Sequence, residues 1–481
     1  MLIMGILFIT ILNTLSITVA DPDLWGNLAF GRLFWESGRF PYQDVYSYVP
    51  TLNPWICHEW LTGVIFYPLY KETGALGLQF IRYLISILTV VLIYLTARKR
   101  GADLLGAAVA LFITIGFLGI GYSPVRAQVF TYCFFALTLY LLEKVRRTGR
   151  WHVMFVIPII MIIWCNLHGG FVAGLGLIAL YLLGEFLSRH SFLPYLWILL
   201  LSGIATLVNP YGLKYWAHIL YAVTIMPKKE ISEWVSILQL FGTGSSVEFF
   251  YYSLIIVIFL LLIWWGKWRD ITAGLVLSVT LYVGLSHTRH MVFFLILTGA
   301  YMPVLLTPYI QRVMSWSLVI DLQHRLGKKI PAFLSIVLIS YGAYNFLCST
   351  PWTLRIPSKP QGDNNWVYYP VAAINFIKDQ SLSGNLIIFY DWGEYTLWRL
   401  YPQCRVAIDG RYEVYPETVR KEYFDFFFVR ENWERFLKHY PPDMLLIKTP
   451  SKIYSLIQKE PDWRQVFADS GSALFLHQDR Q

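Results

Sequence analysis

Two aspartates, Asp21 and Asp23, stand one residue apart at the end of an uncharged apolar run covering residues 2–20. Carboxylates so placed suit two tasks: taking a proton from an acceptor hydroxyl or amine, or holding a divalent ion. Pro22 between them denies a continuing helix and fixes a turn, and Trp25 suits a membrane–water interface. The same residues also describe an ordinary solvated helix end, since charge at a bilayer boundary costs little once it meets water. A second pair, His58-Glu59, joins an imidazole to a carboxylate, a combination fit for proton transfer or metal ligation. On a helix, neighbours point about 100° apart, so one site would not easily use both. Glu59 near a helix N-terminus would equally be held by the macrodipole.

Cations form the next set. Arg126, and the group His287, Arg289 and His290, fall at the ends of apolar runs. Guanidinium binds phosphate in a bidentate way, so Arg126 and Arg289 are candidates for an anionic lipid phosphate; snorkelling to headgroups is the competing explanation. His168 lies in Asn166-Leu167-His168-Gly169-Gly170, where the glycines permit either a close backbone approach or a plain hairpin turn. Asp391, Glu394, Asp409, Arg411 and Glu413 fall just beyond expected strand ends, where α/β sheets bind ligands. An internal Asp409–Arg411 ion pair that shapes the domain is the competing explanation and disfavours catalysis, while an acceptor-recognition role stays open for Asp391, Asp409 and Arg411. There is no P-loop, dinucleotide fingerprint, zinc-protease motif or serine-nucleophile motif, which disfavours an ATP-driven pump or a common membrane hydrolase.

The elements that must position these residues are mostly apolar. The chain has 481 residues, 56% hydrophobic, 17% aromatic and only 14% charged, where soluble domains carry roughly 25% charge. Runs suited to crossing a bilayer fall near 2–20, 78–97, 103–121, 127–143, 152–166, 170–188, 194–209, 249–266, 271–286, 290–307 and 330–348, about eleven in all. Thr18-Val19-Ala20 resembles a cleavage site, but no Lys or Arg precedes the first run, so it reads as a retained span. The net charge of +9 lies mostly in short loops between runs and does not require nucleic acid. Arg98-Lys99-Arg100, Lys144 to Arg150, Arg189, Lys267, Arg269, and Arg312 to Lys329 alternate onto one side, which the positive-inside rule makes cytoplasmic.

The opposite side then receives Asp21, Asp23, His58, Glu59, Arg126, Asn166, His168, Asn209, Glu230, Glu233, His287, Arg289 and His290. Polar groups converging at one membrane face are what an active site needs. Leu61–Tyr70 is apolar but too short to span and reads as an interfacial or re-entrant helix.

Residues 1–348 thus form a transmembrane domain with a first outer loop at 21–77. Residues 349–369 are a proline-rich linker, and 370–481 a small extracytoplasmic α/β domain with a mostly parallel sheet. Within it, helices are expected over 370–380, 392–400 and 417–439. Strands are expected over 386–390, 405–408 and 444–447, with a final hairpin from 465–467 and 473–476. Cys57 and Cys404 both fall outside the runs and could meet, but two cysteines make no disulfide framework.

An apolar first span, an acidic pair just beyond it, a long outer loop with a surface helix and a final external domain resemble the GT-C superfamily of integral-membrane glycosyltransferases. More closely, the chain resembles a largely uncharacterised bacterial group with a DPDLW-type first-loop motif. That look is carried by DPDLWGNLAFGRLFWESGRFPYQDVYSY (21–48), PWICHEWL (54–61), PVRAQVF (124–130), WCNLHGGFVAGL (164–175), NPYG (209–212) and YDWGEYTLWRLYPQCRVAIDGRYEVYP (390–416).

The resemblance implies a polytopic all-α membrane domain with a small α/β domain, in a bacterial inner membrane. It implies a polyprenyl-phosphate-linked sugar as donor, membrane lipid around it, and an acceptor glycan, lipid or protein on the outer face. Asp21 or Asp23 would be the base or metal ligand, with Glu59 and His58 beside them. A divalent ion, Mg or Mn, would be held at Asp21, Asp23 and His58, and Arg126, His168, Arg289 and His290 would meet the donor phosphate. Two other classes fit less well: a transporter or flippase for a lipid-linked glycan, and a non-catalytic membrane assembly component. Transporters carry charge at the bilayer midplane, and here the middles of the runs are almost uncharged.

Overall fold

The computed structural model describes residues 2–122, 124–224, 236–242, 246–266, 269–360 and 367–478. Glu230 and Glu233 lie outside the described residues. The chain divides into two compact units. The first comprises Met1–Thr18, Gln79–Leu213 and Pro227–Thr353; the second comprises Val19–Leu78, Lys214–Met226 and Leu354–Gln481.

The first unit is helical, and the apolar runs lie largely on helices, although the first helix ends at Thr14 and not at residue 20. In hydrocarbon only a helix satisfies every backbone group within the segment. Among the described residues, Ala75–Arg100, Thr288–Met314 and Lys329–Cys348 are long and apolar enough to cross a membrane. Met291–Met314 is buried from Met291 almost without a break to Pro303. Gly299 allows two neighbours to approach it, since a Cβ there would meet Ile93 at 2.9 Å and Thr114 at 3.0 Å. Lys329–Cys348 is the opposite case. It leaves Phe333, Leu334, Ile336, Leu338, Tyr341 and Tyr344 exposed, and is tied to the Leu2–Thr14 helix where Asn13 donates to the Gly342 carbonyl at 2.9 Å.

Two of the basic residues assigned to solvated loops are not solvated. Arg100 and Arg146 end their helices inside a buried ion network. Arg100 meets Glu143 at 2.7 Å and Asp270 at 2.9 Å, while Arg146 meets Glu185 at 2.6 Å and Asp270 at 2.7 Å. Tyr181 links Glu143 (2.7 Å) to Tyr301 (2.9 Å), and Thr272 donates to Glu185 at 2.7 Å. Four helix ends are thereby pinned to one another. Asp270 serves twice, because it also caps the Ile271–Ser286 helix.

The second unit is built around a five-stranded sheet in the order β2-β1-β3-β5-β4. Its strands are β1 (Gly384–Ile388), β2 (Cys404–Val406), β3 (Met444–Lys448), β4 (Trp463–Ala468) and β5 (Ser472–His477). β1 runs parallel to β2 and β3, whereas β5 is antiparallel to both β3 and β4. The sheet is therefore mixed: the expected hairpin closes one side of a parallel core. At the β2 edge the first-loop chain adds on, with Val406 donating to Tyr46 (3.0 Å) and Tyr48 to Val406 (3.1 Å). This covers backbone groups that an edge would leave unpaired.

Two helices of the 19–78 segment complete the unit. Pro22–Ser37 and Trp60–Thr73 cross at a glycine contact, where a Cβ on Gly31 would stand 2.1 Å from the Gly63 carbonyl oxygen. The expected surface-lying helix thus buries Thr62, Gly63, Phe66 and Tyr67. Trp25, expected at a membrane interface, is only 1% exposed. Its ring packs edge-on against Tyr395 (5.1 Å), Tyr369 (6.3 Å) and Tyr70 (6.4 Å), because its helix also faces the Tyr390–Leu400 helix.

The long helix expected over 417–439 is two helices, Glu417–Phe427 and Arg435–His439. Val429 (φ 53°) and Asn432 (φ 60°) take left-handed conformations between them. The aromatic run from Tyr423 to Phe428 is too wide for one helix face. Turning the chain lets Phe436 pack against Tyr423 (5.5 Å) and Phe426 (6.4 Å).

Candidate active site

The acidic pair opens a helix. Asp21 is its N-cap, with Oδ1 accepting from the Asp23 backbone N–H at 3.0 Å, and Pro22 occupies the first turn. Proline is favoured there because its missing N–H would have had no intrahelical partner. Asp23 and Asn27 share one helix face, four residues apart. Asn27 Nδ2 donates to the Asp23 carbonyl at 3.1 Å and to Glu59 Oε2 at 2.9 Å. Asn27 and Glu59 are both buried.

Glu59 precedes the Trp60–Thr73 helix, and its side chain makes no cap hydrogen bond. Since His58 and Glu59 lie ahead of the helix, the 100° argument against a shared site does not apply. His58 stands between two carboxylates, with Nε2 3.5 Å from Glu59 Oε1 and Nδ1 3.3 Å from Glu413 Oε1. Burial disfavours its imidazolium, but hydrogen bonds and charge from Glu413 and Glu59 outweigh that and lift the His58 pKa to about 10. Burial would raise Glu413, yet His58 holds its carboxyl below the ordinary value. His218, on the Leu213–Thr224 helix, lies with its ring 6.2 Å from that of His58. Burial, with the His58 charge adding to it and Glu413 opposing, lowers its pKa to about 4. Ligand atoms of His58, His218 and Glu413 all lie within 4.8 Å of one another.

Glu394 lies on a further side of the Asp23 helix. It accepts from the Gly26 N–H at 3.0 Å, and a Cβ on Gly26 or Gly410 would strike its carboxylate at 2.4 or 2.8 Å. Burial, then the negative charges of Asp23 and Asp409, push the Glu394 pKa well above the usual carboxylate range.

Asp409 and Arg411 form a bidentate pair, and Arg411 also meets Asp44 at 2.6 Å. The guanidinium sits over the rings of Trp55 (4.8 Å) and Tyr46 (5.2 Å), so it clamps the first loop to the sheet. Asp391 pairs with Lys448 at 3.5 Å. Burial raises the Asp391 carboxyl despite that lysine. Cys57 and Cys404 are not joined in a disulfide, and burial pushes the Cys57 thiol up.

The remaining candidates belong to the first unit. Arg126 lies in the turn before the Gln128–Thr148 helix. His168 is the C-cap of Val156–Leu167; its Nδ1 accepts from the Gly170 N–H at 2.9 Å and lies 2.8 Å from Thr131 Oγ1. The neutral ring therefore carries its proton on Nε2. Asn166 donates to the Ile162 (2.7 Å) and Val208 (2.8 Å) carbonyls, a packing role. Arg289 and His290 lie in the 3-10 turn Thr288–His290, half-buried, with the His290 ring stacked 6.2 Å from Phe293.

No family model matches this chain, and no curated protein is similar to it in sequence. Solved structures are similar to it. The oligosaccharyltransferase of Archaeoglobus fulgidus in its apo form superposes with a TM-score of 0.58 at 11% identity, over 93% of this chain and 69% of that one. The same enzyme in complex with Zn and sulfate gives 0.52 at 10% identity, over 98% of this chain and 73% of that one. This chain shares the fold of that oligosaccharyltransferase. At such identity the similarity is one of fold, and residue roles rest on the geometry above.

Proposed function

We propose that this chain is a membrane glycosyltransferase of the GT-C type. It transfers a sugar from a polyprenyl-phosphate-linked donor to an acceptor glycan, lipid or protein at the outer face of a bacterial inner membrane. The observation that carries this reading is the oligosaccharyltransferase fold extending over nearly the whole chain, with the Asp21–Asp23 pair at the start of the helix that follows the first span.

Asp23 is the general base. Asp21 Oδ1 caps the helix, and Asn27, one turn on from Asp23, bonds both the Asp23 backbone carbonyl and the Glu59 carboxylate. Its carboxylate takes the proton of the acceptor O–H or N–H as the acceptor atom bonds to the anomeric carbon. The bond from that carbon to the phosphate oxygen breaks, and the lipid phosphate leaves with the electron pair. Arg126, Arg289, His290 and the Nε2–H of His168 are assigned to the donor phosphate, whose charge grows in the transition state. Asp391, Asp409 and Arg411 are assigned to the acceptor side, with Asp409 and Arg411 acting through the position of the first loop. Asp21 and Asp23 are assigned a hard divalent ion such as Mg or Mn, without the expected His58, whose ring nitrogens face Glu59 and Glu413; the ion would neutralise charge on the leaving phosphate when bound.

Release of labelled sugar from polyprenyl-phosphate sugars tests this in nanodiscs, with candidate acceptors present and with or without EDTA. Release that requires Asp23 is expected. Absence of both release and donor binding would sink the transferase reading in favour of glycan transport or an assembly role.

A further inference from the structure

Three segments far apart in sequence bring His58, His218 and Glu413 to one point of the second unit. Two imidazoles and a carboxylate with ligand atoms within 4.8 Å of one another are the donor set that borderline divalent transition metals prefer. Hard ions such as Mg prefer all-oxygen sets. Three features beyond the grouping favour an ion over a chance meeting of side chains.

The first is the surroundings of His58. Its Nδ1 faces Glu413 and its Nε2 lies 3.5 Å from Glu59, whose other oxygen accepts from Asn27 at 2.9 Å. A metal-bound histidine characteristically presents its second ring nitrogen to a carboxylate that is itself hydrogen-bonded, which fixes the tautomer and the ring plane. The second is backbone support, since Tyr215 donates its hydroxyl to the His58 carbonyl at 3.4 Å from one turn before His218 on the same helix. The third is access. Side-chain exposure is 30% for His58 and 15% for Glu413, so an ion could enter and keep a coordination position for water.

We propose that His58, His218 and Glu413 bind one divalent transition-metal ion of the zinc class, with Glu59 as the outer partner of His58. This site is separate from the hard-ion position assigned to Asp21 and Asp23 and does not depend on the transferase reading. Three protein ligands leave a fourth tetrahedral position open to water or to an acceptor group.

The test uses full-length protein in detergent, stripped with chelator and titrated with Zn²⁺ and Co²⁺. Metal content after dialysis and the visible spectrum of the cobalt form are read. One ion per chain and the absorption of four-coordinate cobalt are expected. His218→Ala should lose stoichiometric uptake. Glu59→Gln should bind roughly 10–100-fold more weakly, the range for loss of an outer partner. Asp23→Asn should bind as the wild type does. Substoichiometric metal in the wild type, or full uptake by His218→Ala, overturns the proposal. So does uptake that depends on Asp23 and not on His218, which would leave the transferase reading standing. If His218→Ala does not fold, His218→Gln is used, and an unchanged cobalt spectrum there overturns it equally.

Discussion

Both units contain a cluster of charged groups drawn from distant segments, and the two clusters are built on opposite terms. In the first unit, Arg100 and Arg146 thread among Glu143, Glu185 and Asp270, and tyrosine and threonine hydroxyls take up further oxygens. Glu143 is wholly buried, and each guanidinium is spent on more than one carboxylate. Such a network holds helix ends and has nothing left to offer a ligand. In the second unit, carboxylates and imidazoles meet without any guanidinium among His58, Glu59, Glu413 and His218, and part of the group reaches solvent. Arginine is nearby in sequence but is occupied: Arg411 is committed to Asp409 and Asp44. Arginine seals the first cluster, while the second leaves nitrogen and oxygen donors beside water, where the proposed ion would bind.

The contrast can be broken or sharpened by substitution. The largest effect is expected in the open region. Asp23→Asn should lower transfer by about 100–10,000-fold, the usual weight of a general base, in protein that remains folded. Asp21→Asn should lower transfer less than Asp23→Asn does, because asparagine keeps the helix cap and removes only one ligand charge from the ion, whereas Asp21→Ala should also cost about 1 kcal/mol of stability. Equal losses of rate in Asp21→Asn and Asp23→Asn, read as initial velocities, would remove the distinction between cap and base.

The sealed network comes next. Arg146→Met leaves Glu185 and Asp270 short of a buried partner and should cost about 3–5 kcal/mol, seen as a lowered Tm or a loss of monodisperse protein. His218→Ala in metal-free protein should shift Tm less than Arg146→Met does. The reverse order would mean that the open cluster is the structural one. Gly31→Ala places a methyl against the Gly63 carbonyl and should cost about 1–3 kcal/mol, an overpacking effect readable by the same melting experiment.

The smallest effect is a pH dependence from Asp391 and Lys448. Burial raises the Asp391 carboxyl above 3.8 and lowers the Lys448 ammonium below 10.5. The folded chain then binds more protons than the unfolded chain just above pH 3.8, so this carboxyl's contribution to stability falls as pH rises through that window. Just below pH 10.5 the unfolded chain binds more, so the lysine's contribution rises with pH there. Asp391→Asn combined with Lys448→Met should flatten Tm in both windows. Unchanged slopes would assign them to other groups.

Local pattern carried much of this. Uncharged apolar runs specify helices wherever they lie, and β1, β3 and the β4–β5 hairpin were legible from short apolar segments between turn residues. Asp21-Pro22-Asp23 suggested a helix end and a turn, and is instead a helix start, with Asp21 as N-cap and Pro22 in the first turn. Pattern failed where a partner decides the outcome. Trp25 has the same composition context whether it meets lipid or Tyr395, and the aromatic run after Tyr423 looks like one continuous helix until Phe436 must also be buried. The bond between Arg100 and Asp270 joins residues 170 apart, so basic loop residues looked solvated.

The sequence alone therefore determined which segments are helical and apolar, that an α/β region follows them, and that carboxylates gather beyond the first span. Those properties follow from periodicity, propensity and charge read over a few residues. The tertiary structure alone decided which charges are sealed and which stay open, that Asn27 bonds Glu59, and that His218 and Glu413 join His58. Such pairings belong to the packing of distant segments, where burial and the nearest opposite charge set each group's chemistry.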